Sequence, residues 1–70
     1  MAVQLPDPLV RKLIALPETG MGYQLVDLSL ADGRVVRRVQ VLNSELALIP
    51  DDFGTVDPAS VRDVSLSPRQ

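Results

Sequence analysis

The spacing of apolar positions changes along the chain, and each change predicts an element. Leu9, Leu13 and Leu16 recur at helical intervals, flanked by Val10 and Ile14, while Arg11 and Lys12 point away. Asp7-Pro8 opens this stretch with a carboxylate for the free N–H groups and a proline suited to the first turn. Pro17 ends it. The pattern predicts a helix over 7–16, too short to stand alone and therefore docked.

From Tyr23 the period drops to two. Val26, Leu28 and Leu30 point one way, Asp27 and Ser29 the other. Asp32-Gly33 follows, a strong short-range hairpin signal. A two-residue turn there sets Leu30 opposite Val35, Leu28 opposite Arg37, Val26 opposite Val39 and Asp27 opposite Arg38. Asn43-Ser44 reads as a second two-residue turn, placing Val41 opposite Leu46 and Val39 opposite Leu48. Both turns select one apolar face: Val26, Leu28, Leu30, Val35, Val39, Val41, Leu46 and Leu48. Arg37 sits awkwardly among them, and a bulge at Arg37-Arg38 or a barrel bend resolves the conflict.

Beyond this meander over 23–49, Pro50-Asp51-Asp52 interrupts the pattern, and Asp57-Pro58 repeats the cap-plus-proline start. A helical turn and a last strand, with Val64 and Leu66 alternating against Asp63 and Ser65, complete 57–66. The predicted fold is mainly β (α+β). It is a bent antiparallel meander or small barrel of four to five strands with a short N-terminal helix, a single small domain over 1–70.

Composition narrows the function. The 70 residues are 46% hydrophobic and 23% charged, with a formal net charge of −2. This excludes a disordered acidic tail and a chain dominated by basic contacts to nucleic acid. His and Cys are absent, which removes the usual neutral-pH acid–base group, disulfides and thiolate or imidazole metal sites. The serines have no evident base to activate them. A non-enzymatic protein with no metal and no cofactor is expected. The start of the chain lacks a signal-peptide pattern and no apolar run is long enough to span a bilayer, so a cytoplasmic protein without a membrane partner is expected.

Three groups of residues remain as candidate sites. Thr19-Gly20-Met21-Gly22-Tyr23-Gln24 places Gly20, Met21 and Gly22 in a loop that can cradle a small ligand or phosphate. Such loops usually precede a helix, whereas a strand follows here, so a tight turn with positive φ explains the glycines equally. Arg34, Arg37 and Arg38 form a basic stripe for nucleic acid or an acidic partner. Tyr23, Leu25, Val36, Leu42 and Ile49 fall opposite the predicted core face and form an apolar surface that closing the sheet would not hide. Asp51, Asp52 and Asp57 lack the spacing of a calcium loop and read as turn and cap residues.

The element order over Leu9 to Leu66 is similar to that of Sm-like small barrels. Leu28-Ser29-Leu30-Ala31-Asp32-Gly33-Arg34-Val35 resembles the opening of the first Sm motif, and Val61-Arg62-Asp63-Val64 resembles the second without its glycine. The family's strand-bending glycine would fall near Arg38, and its uridine-contacting loop has no counterpart after Val39. The resemblance thus implies the architecture more than RNA binding. Thr19-Gly20-Met21-Gly22-Tyr23-Gln24, Asp32-Gly33-Arg34 and Val41-Leu42-Asn43-Ser44-Glu45 together also resemble a set of short bacterial proteins, which implies no activity.

A monomer this small cannot bury all its apolar side chains, and oligomerisation or docking is the remaining stabiliser. The expected function is an interaction or structural module that self-associates as a homo-oligomer or docks on a protein partner. The alternatives are an Sm-like nucleic-acid binder using the arginine stripe and a small-ligand or phosphate binder at Gly20–Gly22.

Overall fold

The computed structural model describes residues 1–17 and 22–68. In chain order the elements are β1 (Ala2–Gln4), α1 (Asp7–Ile14), β2 (Tyr23–Leu30), β3 (Val35–Leu42), β4 (Leu46–Leu48) and β5 (Val61–Leu66). Two 3-10 turns, Asp51–Phe53 and Pro58–Ser60, lie between β4 and β5. The strands form one antiparallel sheet in the order β1-β4-β3-β2-β5, curled into a half-barrel. The mainly β, five-stranded arrangement with a short helix is as the sequence predicts. β1 is an addition that the alternation of only three residues does not reveal.

The curl encloses a core of Val3, Leu5, Leu9, Leu13, Val26, Leu28, Leu30, Val36, Val39, Val41, Ala47, Ile49, Val56, Val61 and Val64. Burying these side chains from all five strands, the helix and the connecting loops contributes most to holding the chain together. The helix contributes Leu9 and Leu13, with Val10 and Leu16 partly buried beside them. Ile14 projects into solvent at 68% exposure, so the buried stripe is narrower than its flanking residues imply. Pro6, not Asp7, is the N-cap, and no side chain caps the helix start. Asp7 lies in the first turn, where its charge favours the helix dipole. Asp57 does cap as expected, its carboxylate accepting from the Ala59 N–H at 2.9 Å.

Both hairpins depart from two-residue turns. In the first, Ser29 pairs with Val35 and Leu28 with Val36, leaving Ala31-Asp32-Gly33 as the turn. Gly33 has φ 91°, a conformation that glycine adopts without steric cost. One strand pair later, Arg37 and Arg38 together oppose Asp27, a bulge that restores the predicted Val26–Val39 pair. In the second hairpin Leu42 pairs with Leu46 and Val41 with Ala47, so Asn43-Ser44-Glu45 is the turn. No irregularity follows, and the one-residue slip persists through Gln40–Leu48.

These slips exchange residues between the faces. Val36, at 2% exposure, and Ile49, at 3%, belong to the core and not to the outer surface predicted for them. Val35 is 39% exposed, while Leu46 and Leu48 are half-buried on the outer face. Ala47 takes the inward position on β4. The physical reason is the two-residue side-chain period of a strand, which turns one residue of slip into a change of face.

Candidate functional site

The outer face of the sheet divides into two halves. At one end, Tyr23, Leu42, Leu46 and Gln4 occupy one cross-strand row, since Tyr23 pairs with Leu42, Leu42 with Leu46 and Leu46 with Gln4. The adjoining row runs Leu25, Gln40, Leu48 and Ala2. Side chains directly opposite in such rows stand about 4.5–5.5 Å apart at Cβ, and the diagonals are within reach of long side chains. Tyr23, Leu25, Leu42, Leu46 and Leu48 therefore adjoin one another, each half-buried. Of the apolar surface expected from sequence, Tyr23, Leu25 and Leu42 are here. Leu46 and Leu48 replace Val36 and Ile49.

The other half is polar and is organised by Asp27. Its carboxylate accepts the Ser67 hydroxyl at 2.7 Å, the Arg38 backbone N–H at 3.1 Å and the Arg37 guanidinium at 3.4 Å. Burial on its own would raise the Asp27 pKa. The hydrogen bonds from Ser67 and Arg38, with the charges of Arg37 and Arg38, outweigh it and hold the carboxyl below its ordinary value. The expected Asp27–Arg38 pairing thus exists, but through the Arg38 main chain; the side-chain ion pair belongs to Arg37. Arg38 adopts φ 55°, the left-handed region that most side chains avoid. The bond from its N–H to Asp27 helps to hold it there.

The three arginines do not form a uniform stripe. Arg34 donates to Asp32 from Nε at 2.6 Å and lies 5.2 Å from the centre of the Phe53 ring. The Arg34 N–H and guanidinium hold the Asp32 carboxyl below its ordinary value. Arg37 is paired with Asp27. Of these three, Arg38 alone presents a guanidinium with no ion pair among the described residues.

Gly20 and Met21 of the glycine loop lie outside the described residues. Gly22 is exposed with φ 80°, which accounts for a glycine immediately before β2. Among the described residues there is no group of three or more Asp or Glu placed to hold a metal ion, and every buried side-chain polar atom has a partner.

Gln24 is a polar residue that the pattern reading passed over. It is 1% exposed and faces the core from β2. Its Nε2 donates to the Leu13, Leu16 and Pro17 carbonyls at 2.9, 3.2 and 3.4 Å, joining the Leu16 N–H on the Leu13 carbonyl and reaching the two carbonyls just past the end of α1. Its Oε1 accepts the Ser44 hydroxyl at 3.2 Å. One side chain therefore ties the helix end to the β3–β4 turn. The signal was present, because Gln24 shares the inward parity of Val26, Leu28 and Leu30. Lys12, expected in solvent, reaches across to Asp63 at 2.7 Å, and that contact lowers the Asp63 pKa together with the Val64 N–H.

No protein family, curated protein or solved structure matches this chain. Among the described residues, no helix is long and apolar enough to cross a membrane.

Proposed function

We propose that the protein is a small non-enzymatic interaction module that self-associates through the apolar half of its outer sheet face. The observation that carries this reading is the contiguous surface of Tyr23, Leu25, Leu42, Leu46 and Leu48, built by two adjoining cross-strand rows. Apolar patches of this kind on a small domain mark interaction sites. A dimer interface of standard size covers about 800 Å² per copy, close to a fifth of the chain's 4,499 Å² surface. A cysteine-free chain suits the reducing cytoplasm, where we place it.

Nucleic-acid binding has less support, because Asp32 and Asp27 already engage Arg34 and Arg37. Light scattering on the wild-type chain at high micromolar concentration should give at least a dimer. The double variant Leu46→Gln/Leu48→Gln should be a folded monomer by the same measurement and by circular dichroism. A wild-type chain that stays monomeric and well folded at that concentration overturns the reading.

A further inference from the structure

The apolar rows end in opposite charges that have no ion pair among the described residues. At the bulge end, Arg37 and Arg38 lie opposite Asp27; Arg37 takes its carboxylate, and the exposed Arg38 guanidinium has no ion pair among the described residues. At the turn end stands Glu45, exposed and likewise without an ion pair among the described residues. The position of Glu45 is set by its main chain, whose N–H donates to the Leu42 carbonyl at 3.0 Å and whose carbonyl accepts the Leu5 N–H at 2.8 Å. Between the charges lie the Gln40 and Leu42 rows. Arg38 to Leu42 spans roughly 13 Å at about 3.3 Å per residue.

Resting on the self-association reading, we propose that two copies pack face to face about a two-fold axis running across the strands, with Glu45 of each copy over Arg38 of the other. Two face-to-face orientations compete. An axis along the strands superposes like ends, setting Glu45 against Glu45 and Arg38 against Arg38. An axis across the strands, passing near Val41 between the two rows, carries position 38 onto the 43–45 turn. Opposite charges then meet twice, once at each end of an isologous interface. Sheets packed about 10 Å apart leave room for an extended Arg and Glu to meet at the rim. Rim charges contribute chiefly to selecting orientation, which is the role assigned here.

The charge swap tests this. Sedimentation equilibrium of the wild type, Arg38→Glu, Glu45→Arg and the double swap, each checked for folding by circular dichroism, gives four dimer dissociation constants. Each single reversal touches both symmetric contacts and should weaken the dimer on the order of tenfold at low salt, the double swap restoring most of the loss. Arg38→Gln and Glu45→Gln should each weaken it less, and they replace any reversed variant that fails to fold. A wild-type dimer with singles that bind normally, or a double swap no better than the singles, overturns the pairing and leaves self-association standing. A wild-type monomer overturns both.

Discussion

The two hairpins of this sheet begin with the same extra turn residue and end differently. Each turn holds three residues where two were expected. In the β2–β3 hairpin the bulge of Arg37-Arg38 opposite Asp27 absorbs the extra residue, and the deep half of the ladder returns to Val26–Val39. In the β3–β4 hairpin nothing absorbs it, so Ala47 and Ile49 turn inward while Leu46 and Leu48 turn out. The difference has a cause in buried polar chemistry. Asp27 offers two oxygens to the bulge and to Ser67, so an irregular strand is satisfied there. The second turn is held instead by Gln24, which takes the Ser44 hydroxyl. The slip in the second hairpin also creates the outer apolar surface, because it moves two leucines out of the core.

The contrast is broken most strongly at β4. Ile49→Ala should cost about 2–5 kcal/mol in denaturant unfolding, because it leaves a cavity in the core, whereas Leu48→Ala should cost under about 1 kcal/mol in the monomer. A two-residue turn would give the reverse order, so a larger loss at Leu48 breaks the register described here.

The polar anchors come next. Asp27→Ala and Gln24→Ala should each cost about 1–3 kcal/mol, since each leaves buried partners unsatisfied. Double-mutant cycles should couple Asp27 to Ser67 and Arg37, with little coupling to the side chain of Arg38, whose contact is main-chain. The folded pKa values of Asp27, Asp32 and Asp63 lie below the ordinary 3.8. Stability from these groups is therefore complete above the unfolded value and is lost as pH falls through the lower folded values. Unfolding at a series of acid pH values should show this loss, and Asp27→Asn should flatten it. An unchanged acid profile in that variant removes Asp27 as a contributor.

The smallest effects separate the turns themselves. Gly33→Ala should destabilise by about 1 kcal/mol, because φ 91° strains any side chain. Asn43 at φ 53° has no glycine, so Asn43→Gly should be neutral or should stabilise by a few tenths of a kcal/mol. Thermal melts that rank these two in the opposite order count against the turn geometries.

Much of the candidate surface was legible and part was not, for reasons that attach to particular residues. Tyr23, Leu25 and Leu42 were placed by alternation alone, because β2 and the end of β3 keep an unbroken period of two. Val36 was misplaced because the turn before it holds one more residue than Asp32-Gly33 indicates. Ile49 was misplaced because Asn43 and Ser44 both adopt left-handed conformations in a turn that continues to Glu45. The conflict at Arg37 was visible, and a bulge was among its expected solutions. What pattern could not show is that Asp27 binds the bulge through the main chain of Arg38.

The sequence by itself determined the helix over its apolar stripe, the strand-rich remainder, the two reversals at Asp32-Gly33 and Asn43-Ser44, and an excess of apolar residues for so small a chain. These follow from local periodicity and turn chemistry, which act over a few residues. Only the tertiary structure decided which leucines are core and which are surface, that Gln24 ties down the helix end, and that Arg38 and Glu45, without ion pairs among the described residues, stand at opposite ends of one apolar face. Those outcomes depend on register and on buried hydrogen bonds between distant segments. A one-residue difference in either turn leaves the local pattern intact and inverts the face.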